Sequence, residues 1–305
     1  MSQGSIFIAH KQVQRPIEWE EEFGSAAPLD VEIGFGEGDF LARTAHANPS
    51  RHYVGLEQNG DRIRRALRKI EEQNVKNVRL MFVDAWVAFE RLFLPQTISK
   101  IYSIFPCPWP KKRHTKHRLF SKAFSKLINS RLVPHGEVSI VTDFLPYREW
   151  MTEQFKDTGF AANSKIIKPH LATRFERKWV ERGQTDFFEF KLIKTTHIDM
   201  PLREDAPLTP ASADRFNPDA FRIHNQKAPT ASVIVKEFIS DQQRRKSMVR
   251  LLVAEEHLVQ HVWIVIAFVG QGWVIAPAEG QSFIPTQGIV QAVHLVRQAC
   301  LDSVH

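Results

Sequence analysis

The chain has few cysteines and no long apolar run. Its 305 residues include only Cys107 and Cys300, which excludes a disulfide framework, and no Cys/His cluster has the spacing of a zinc site. The longest apolar run, Val262–Val269, is too short to cross a bilayer. The first 15 residues lack the apolar stretch of a signal peptide. We therefore expect a cytoplasmic protein with no membrane span and no bound metal.

Positive charge is in excess and unevenly distributed. The 41 Lys and Arg residues outnumber the 34 Asp and Glu residues, a net charge of +7, which favours a polyanionic partner. From Asn225 to the end the chain is nearly neutral, with seven basic against six acidic residues. Two dense basic runs, Arg62–Lys69 and Lys111–Arg118, carry much of the excess.

Short apolar runs alternate with helical patterns through the first two thirds of the chain. Helical periodicity covers Arg62–Glu72 and Leu119–Leu132. The apolar runs predict strands at Leu29–Gly34, His52–Glu57, Val78–Val83, Ile98–Phe105, Glu137–Asp143 and Phe187–Ile193. This alternation predicts an α/β fold with a mostly parallel, Rossmann-like sheet, whose ligands bind at the carboxyl ends of the strands.

The chain is predicted to have four parts. Residues 1–27 form an N-terminal segment without a clear pattern, and residues 28–194 form the α/β domain. Residues 195–229 contain five prolines and are interpreted as a linker. Residues 230–305 combine apolar strand-like runs with a final amphipathic helix, which predicts a small α+β domain. Its apolar strands suggest two roles, homodimer formation or a cover for the α/β domain.

The first predicted strand leads into a glycine-rich turn, Gly34–Gly38. Its alternate glycines, Gly34, Gly36 and Gly38, allow close backbone approach to a ligand. A dinucleotide-binding fingerprint needs another glycine where Asp39 stands, and a pyrophosphate is disfavoured by nearby carboxylates. The carboxylates here are Glu32, Glu37 and Asp39. They suit a cationic cofactor such as S-adenosylmethionine, and the alternative is a turn that binds no ligand.

Carboxylates also follow the second and third predicted strands. Glu57 is placed to accept hydrogen bonds from a ribose diol, although a lone glutamate at a strand end is otherwise a solvated charge. Asp84 is placed to face an adenine, or to cap the following helix.

The fourth predicted strand leads into the most informative segment, Phe105–Arg118. Its three prolines alternate with Cys107 and Trp109, which predicts a stiff loop. Five fixed cations and two histidines follow within eight residues, without an acid. A rigid aromatic before a cation block suits a nucleic acid, and the alternative is a solvated charged face. The other basic run, Arg62–Lys69, is interpreted as a solvated helix face, with RNA contact as its alternative.

Together these motifs resemble the tRNA (guanine-N7)-methyltransferase family. The shared motifs are Glu32–Gly36, Gly55–Glu57, Asp84-Ala85, Phe105–His114 with one change, Thr142-Asp143 and Thr173–Glu176. They occur in the family's order, and the proline–tryptophan–basic motif is highly specific. The resemblance covers residues 28–194 and does not extend to the C-terminal domain.

The resemblance implies a class I methyltransferase that uses S-adenosylmethionine to methylate guanine N7 in the variable loop of tRNA. It implies cofactor contacts at Glu32, Gly34, Gly36, Gly38, Glu57, Asp84 and Cys107. It implies guanine contacts at Lys111, Asp143, Thr173 and Glu176, with Asp143 near the reacting base. It implies RNA contacts at Arg113, His114, Thr115, Lys116, His117 and Arg118.

Cys107 departs from the family pattern, which has the catalytic Asp at this position. Guanine N7 carries a free lone pair, so methylation needs no general base, and a neighbouring carboxylate would only favour the developing cation electrostatically. Cys107 is therefore compatible with an active enzyme in which Asp143 or Glu176 supplies negative charge. Two alternatives remain: a tRNA-binding protein without turnover, or a pyrimidine C5-methyltransferase in which Cys107 is the nucleophile, since Pro106-Cys107 is typical of that class.

Overall fold

The computed structural model describes residues 5–304. The chain divides after Arg203 into two units, and each unit has its own β-sheet. Among the helices of residues 5–304, none has the length and apolar character that a membrane span requires.

An eight-stranded sheet forms the centre of the first unit. Its strands are β1 (Phe7–Ile8), β2 (Leu29–Ile33), β3 (His52–Glu57), β4 (Val78–Phe82), β5 (Ile98–Ile104), β6 (Leu132–Thr142), β7 (Phe160–Ile167) and β8 (Phe187–Lys194). They lie in the order β1-β4-β3-β2-β5-β6-β8-β7. Only β8 is antiparallel to its neighbours, β6 and β7. The predicted α/β fold with a mostly parallel sheet is confirmed.

Seven helices connect these strands. They are α1 (Trp19–Phe23), α2 (Asp39–Ala47), α3 (Gly60–Glu72), α4 (Ala85–Arg91), α5 (Lys122–Arg131), α6 (Leu145–Gln154) and α7 (Arg174–Val180). A short 3₁₀ helix, Lys112–His117, precedes α5. The two predicted helical segments are confirmed as α3 and α5, and α5 begins where the Ser121 hydroxyl accepts a hydrogen bond from the Phe124 amide.

The central strands are covered on both faces, and their burial shows it. Every residue of β2 and β3 is buried, including Asp30, Glu32, His52 and Glu57, because both faces of a parallel sheet are covered. Helix α3 buries Ile63, Ala66 and Ile70 and turns its charged residues to solvent. Burial on both faces therefore fixes the positions of the strand ends, and the loops that follow them extend from this rigid sheet.

Strand order reverses between β2 and β5. From β2 the chain adds β3 and β4 on one side, and from β5 it adds β6 on the other side. The loops that leave β2 and β5 consequently diverge to opposite faces and leave a crevice between them at the carboxyl edge.

The second unit is a six-stranded antiparallel sheet packed against one helix. Its elements are β9 (Ala211–Ala213), β10 (Gln226–Lys227), β11 (Ser232–Asp241), β12 (Lys246–Ala254), β13 (Val259–Val269), β14 (Gly272–Pro277) and α8 (Gln287–Asp302). The strand order is β10-β11-β12-β13-β14-β9. One core combines the inner face of the sheet with the buried stripe of α8, which includes Ile289, Val293 and Val296.

The segment predicted as a linker, residues 195–229, is not a free connection. Its first part is held to the first unit because buried Arg131 donates hydrogen bonds to the Met200 carbonyl at 2.7 Å and the Pro201 carbonyl at 3.2 Å. Its later part supplies strands to the second sheet, and Phe216 and Phe221 belong to the core of that unit. The prolines interrupt regular structure, but the aromatic residues between them are buried.

Candidate active site

A cavity of about 400 Å³ lies at the crevice between β2 and β5. Its lining comes from the glycine turn, α3, the end of β5 and the start of α7. The lining residues are Glu32, Gly34, Phe35, Gly36, Glu37, Asp39, Phe40, Arg62, Arg65, Ile104, Phe105, Thr173, Arg174, Phe175 and Lys178. Segments distant in sequence therefore meet where the strand order predicts a ligand site.

The glycine turn requires glycine for two different reasons. Gly34, Gly36 and Gly38 all have left-handed backbone angles, with φ of 74°, 59° and 78°. At Gly38 a Cβ atom would lie 2.8 Å from the Cβ of Ala66, so this glycine allows the turn to pack on α3. At Gly34 and Gly36 an added Cβ would meet nothing within 4 Å, so the turn presents bare backbone to open space.

Glu32 is a buried carboxylate that lines this cavity. Its side chain is 2% exposed, and Oε2 has no hydrogen-bond partner among the described residues. Burial, reinforced by the nearby charges of Glu57 and Asp39 and opposed by Arg43, raises the pKa of Glu32 to about 8. A buried carboxylate oxygen without a partner is costly, and a cationic or hydrogen-donating ligand would relieve that cost.

The two other acids of the turn already have partners. Glu37 Oε1 accepts a hydrogen bond from Arg65 at 2.5 Å and another from Arg174. Asp39 accepts from Lys69 and from the backbone amide of Arg174. Burial alone would raise the pKa of Asp39, but these hydrogen bonds hold it below its usual range. Of the three acids expected to attract a cation, Glu32 is therefore the one with a carboxylate oxygen that no described residue already binds.

Glu57 lies beside the turn but is engaged by backbone. Its Oε2 accepts from the Gly36 amide at 3.0 Å, and its Oε1 accepts from the amides of Gln58 and Asn59 at 2.9 and 3.0 Å. Glu57 thus shapes the turn and the start of α3.

Asp84 is the N-cap of α4, and its Oδ1 accepts from the Trp86 amide at 2.8 Å. The side chain of Gln58 donates to the other oxygen of Asp84, so Gln58 connects the ends of β3 and β4. Glu57 contacts the glycine turn directly and Asp84 follows the next strand, although neither lines the cavity.

The loop after β5 is held in an unusual backbone conformation. Phe105 and Trp109 both have positive φ, 58° and 43°, which is uncommon for residues with large side chains. The Phe105 ring is fixed between Phe175, at 4.9 Å between centroids, and Phe187, at 5.1 Å. The following Cys107 is exposed and unpaired. The stiff loop predicted from its prolines therefore has an aromatic anchor at its start.

The cations of this loop point to solvent, with one exception. Lys111, Lys112, Arg113, Lys116 and His117 are exposed, and His114 and Thr115 are half-buried. The Trp109 ring contacts His114 and His117, with centroids 5.8 and 5.2 Å apart. The Trp109 indole therefore packs against the two histidine rings of the 3₁₀ helix.

Arg118 is the exception and corrects its expected role as an RNA contact. Its side chain is 7% exposed, and its Nε donates to the Pro108 carbonyl at 2.9 Å. Its guanidinium lies over the rings of Tyr147 and Trp150 at 5.3 and 5.2 Å. Arg118 therefore holds the loop in place from inside the protein.

Asp143 directly follows β6, next to the loop that contains Cys107. Strands β5 and β6 pair Ile104 with Val141, so Cys107 and Asp143 leave adjacent strands at the same edge. Asp143 is half-buried, and burial raises its pKa above the usual range.

The Thr173–Glu176 motif forms a helix start. Thr173 Oγ1 accepts a hydrogen bond from the Glu176 amide at 3.1 Å, and Thr173 itself lines the cavity. The Glu176 carboxylate is 3% exposed and accepts from the amides of His170, Leu171 and Ala172 at 2.9, 3.0 and 2.6 Å. A direct contact between Glu176 and guanine is therefore not supported, since its oxygens organise the loop before α7. The Thr-x-x-Glu spacing of a capping box was the signal for this role.

Several cavity residues were missed by the sequence analysis. Phe40 and Lys178 line the cavity without belonging to a predicted motif. Arg62 and Arg65 belong to the basic run interpreted as a solvated helix face, and Arg174 and Phe175 lie within the Thr173–Glu176 motif. The contact between Arg174 and Glu37 joins residues 137 positions apart, and no local pattern predicts such a pairing. Within residues 5–304 no group of three or more His, Cys, Asp or Glu side chains has an arrangement that could hold a metal ion.

A family model described as "Putative methyltransferase" matches residues 26–189, more than half of the chain. The tRNA (guanine-N(7)-)-methyltransferase of Chlorobium phaeobacteroides is 42% identical over 182 residues, which are 59% of this chain and 89% of that protein. The chain belongs to the tRNA (guanine-N7)-methyltransferase family.

Members of this family differ in how much of the chain they match. The tRNA (guanine-N(7)-)-methyltransferase of Thermotoga maritima is 37% identical over 56% of this chain and 56% of its own length. The Aquifex aeolicus protein of the same name is 28% identical over 96% of this chain and 98% of its own length. That alignment includes most of the second unit, so the likeness to the family extends beyond the region that the motifs cover.

Solved structures of other methyltransferases are more distantly similar. The 16S rRNA methyltransferase KamB has a TM-score of 0.48 at 16% identity, over 62% of this chain and 99% of its own.

Proposed function

We propose that the protein transfers the methyl group of S-adenosylmethionine to N7 of a guanine in the variable loop of tRNA. The observation that carries this proposal is the buried Glu32 carboxylate, whose Oε2 has no described partner beside a glycine turn of bare backbone. In a chain of this family, that site suits a cofactor that carries an ammonium group and a sulfonium. The names of the relatives agree with this activity.

The residues at the cavity fit S-adenosylmethionine. Glu32 would pair with the ammonium group, and the backbone of Gly34 and Gly36 would lie against the cofactor. Glu57 and Asp84, whose carboxylates flank this turn, would face its ribose and adenine. The bound cofactor supplies a methyl group on a sulfonium, an electrophile that needs no metal to react.

Methyl transfer to N7 requires positioning more than proton transfer. The N7 lone pair forms the new bond to carbon while the carbon–sulfur bond breaks and its electron pair returns to sulfur, which yields adenosylhomocysteine. N7 carries no proton to lose, so the chain must align N7 with the methyl–sulfur axis and stabilise a cationic purine. Asp143, half-buried at the end of β6, is the carboxylate we assign to that stabilisation.

Cys107 stands where the family pattern has an aspartate. A missing charge-assisted contact typically costs about 1.5–3 kcal/mol, or roughly 10- to 200-fold in rate. We therefore propose an active enzyme with a reduced methyl-transfer rate, in which Asp143 compensates in part. Lys111 and Thr173 complete the guanine site, and Glu176 acts through the loop that it folds.

The exposed cations from Arg113 to His117 are proposed to bind the tRNA backbone. They lie in a short 3₁₀ helix on a loop anchored by Phe105 and Arg118. Since tRNA is the proposed substrate, the cytoplasm is the proposed location. A homodimer formed through the second unit stays a prediction, which sedimentation of the full chain would test.

The decisive experiment is methyl transfer from labelled S-adenosylmethionine to unmodified tRNA, with the modified base mapped. We expect label at N7 of one variable-loop guanine. Binding of tRNA without incorporation, restored by Cys107→Asp, would instead establish a protein that binds tRNA without turnover. Covalent trapping by RNA that contains a 5-fluoropyrimidine would establish Cys107 as a nucleophile.

A further inference from the structure

A second group of cations surrounds the cavity, away from the loop after β5. Glu37 Oε1 accepts hydrogen bonds from both Arg65 on α3 and Arg174 on α7. Two guanidinium groups from distant segments are thereby held side by side on a single carboxylate oxygen. Their side chains are 50% and 68% exposed, so most of their five N–H donors face solvent.

More cations extend this group than the local acids neutralise. The α3–α7 cation patch consists of Arg62, Arg65, Arg68, Arg174, Arg177 and Lys178. Its acidic partners are Glu57, Glu37 and Asp39. Within the described residues, Arg68 and Lys178 are exposed and have no ion pair or hydrogen bond. The patch therefore retains unpaired positive charge, on Lys178 at the cavity and on Arg68 further along α3.

The α3 part of the patch and the 3₁₀ helix follow strands on opposite sides of β2. Helix α3 follows β3, the 3₁₀ helix follows β5, and β3 and β5 are the two neighbours of β2 in the sheet. A polyanion that crossed the cavity would thus meet cations before and after it. Phe175, 39% exposed on α7, contacts the ring of Phe105 at the start of the loop that leads to the 3₁₀ helix, with 4.9 Å between centroids.

We propose that the α3–α7 cation patch is a second phosphate-binding surface for the RNA substrate, on the side of the cavity opposite the 3₁₀ helix. The inference rests on the proposed function and deepens it. Paired guanidinium groups with free, fork-shaped donors suit phosphate oxygens, and their shared carboxylate holds them in place before RNA arrives. An extended RNA strand offers phosphates on both sides of a target base, which matches cations on both sides of one cavity.

The test compares two double variants that remove the same charge. Arg68→Gln with Lys178→Gln neutralises the unpaired cations of the patch. Lys76→Gln with Lys156→Gln neutralises two exposed lysines that precede β4 and β7, at the amino edge of the sheet. For each full-length protein, tRNA affinity is measured across a range of salt concentrations, with thermal unfolding as the check of folding.

We expect the patch variant to bind tRNA about tenfold more weakly at low salt. Its slope of log affinity against log salt should fall by about 1.5, since each lost phosphate contact contributes roughly 0.7–0.9. The control variant should match the wild type. This result would support the patch even if the wild type failed to methylate tRNA, an outcome that would refute only the proposed function.

An unchanged slope in the patch variant, together with methylation by the wild type, would overturn this inference and leave the proposed function intact. No binding of tRNA by the wild type would overturn both. Polyglutamate serves as a second, acidic-peptide probe. If the patch variant lost affinity for polyglutamate but bound tRNA as the wild type does, the patch would be assigned to an acidic protein partner and the inference would be overturned.

Discussion

We expect Glu32 to carry a proton at neutral pH in the free protein, because burial raises its pKa to about 8. A cation bound beside it would favour the charged form. Binding of S-adenosylmethionine should therefore release roughly one proton at pH 7, and affinity should rise by up to about tenfold per pH unit between pH 6 and 7.5. Calorimetry in two buffers of different ionisation enthalpy measures the released proton.

Two variants separate Glu32 from a general charge effect. Glu32→Gln should abolish the proton release and weaken binding, whereas Glu71→Gln, which removes an exposed acid on α3, should change neither. Proton release that persists in Glu32→Gln would place the coupling at another group.

The same carboxyl group should destabilise the fold as pH rises. Folded Glu32 keeps its proton up to about pH 8, and the unfolded chain releases it near pH 4.5, so the folded state binds more protons in this interval and stability falls with pH. Glu32→Gln should therefore be more stable than the wild type by about 2–4 kcal/mol at pH 8, with a difference that narrows towards pH 4.5. Urea titrations at pH 5 and pH 8 test this, and a pH-independent difference would contradict it.

Cys107 offers a gain-of-function test at a single residue. Cys107→Asp restores the carboxylate of the family pattern beside the proposed cationic product, so methyl transfer should accelerate by about 10- to 200-fold. Single-turnover rates with labelled cofactor measure the effect. Cys107→Ser, which adds no charge, should stay within a few-fold of the wild type, and its inactivity would favour a nucleophilic thiol.

At the scale of elements, the loop after β5 contains cations with two separate tasks. Replacing Lys112, Arg113 and Lys116 with glutamine should weaken tRNA binding and flatten its salt dependence, because these side chains are exposed. Replacing Arg118 with methionine should instead lower stability by about 1–3 kcal/mol, since the Pro108 carbonyl loses its donor. Binding titrations and thermal unfolding separate the two effects, and a triple variant with an unchanged salt slope would remove this loop from the RNA interface.

Local patterns predicted helices α3, α5 and α8 and the inner strands of the first sheet, but not helices α1, α2, α4, α6 and α7 or the edge strands β1 and β7. Helix α3 repeats apolar residues at helical spacing, and β2 and β3 are short, mostly apolar segments that the parallel sheet buries completely. Strand β7 is an edge strand with exposed alanines, asparagine and lysine, so its sequence lacks a buried face. Strand β9 has three residues and exists only because β14 pairs with it.

At the scale of the molecule, the sequence could predict which strand ends form the site but not which side chains contact one another there. Parallel strands bring their carboxyl ends to one edge, which placed Glu32, Glu57, Asp84 and Cys107 near one another. The partners of those residues depend on tertiary packing. Glu176 is an example, since its sequence spacing is compatible with both a ligand contact and a helix cap, and only the position of loop 170–172 decides between them.

The two units also differ in net charge. Residues 1–203 contain 32 Lys and Arg against 24 Asp and Glu, whereas residues 204–305 contain 9 against 10. The positive field that would attract tRNA therefore arises in the first unit, which also contains the cavity. The second unit has its own hydrophobic core but adds almost no net charge.

Because each unit has its own core, calorimetric unfolding should resolve two transitions. S-adenosylmethionine at a hundred times its dissociation constant should stabilise the first unit by about 2.7 kcal/mol and raise only one transition, by several degrees. Ile264 is fully buried in the core of the second unit. Ile264→Ala should lower only the midpoint temperature of the other transition, because it should reduce the free energy of unfolding of that unit by about 2–5 kcal/mol. Leu127→Ala in α5 is the matched control and should lower the transition that the cofactor raises. A single transition that responds to both the cofactor and Ile264→Ala would show that the two units unfold together.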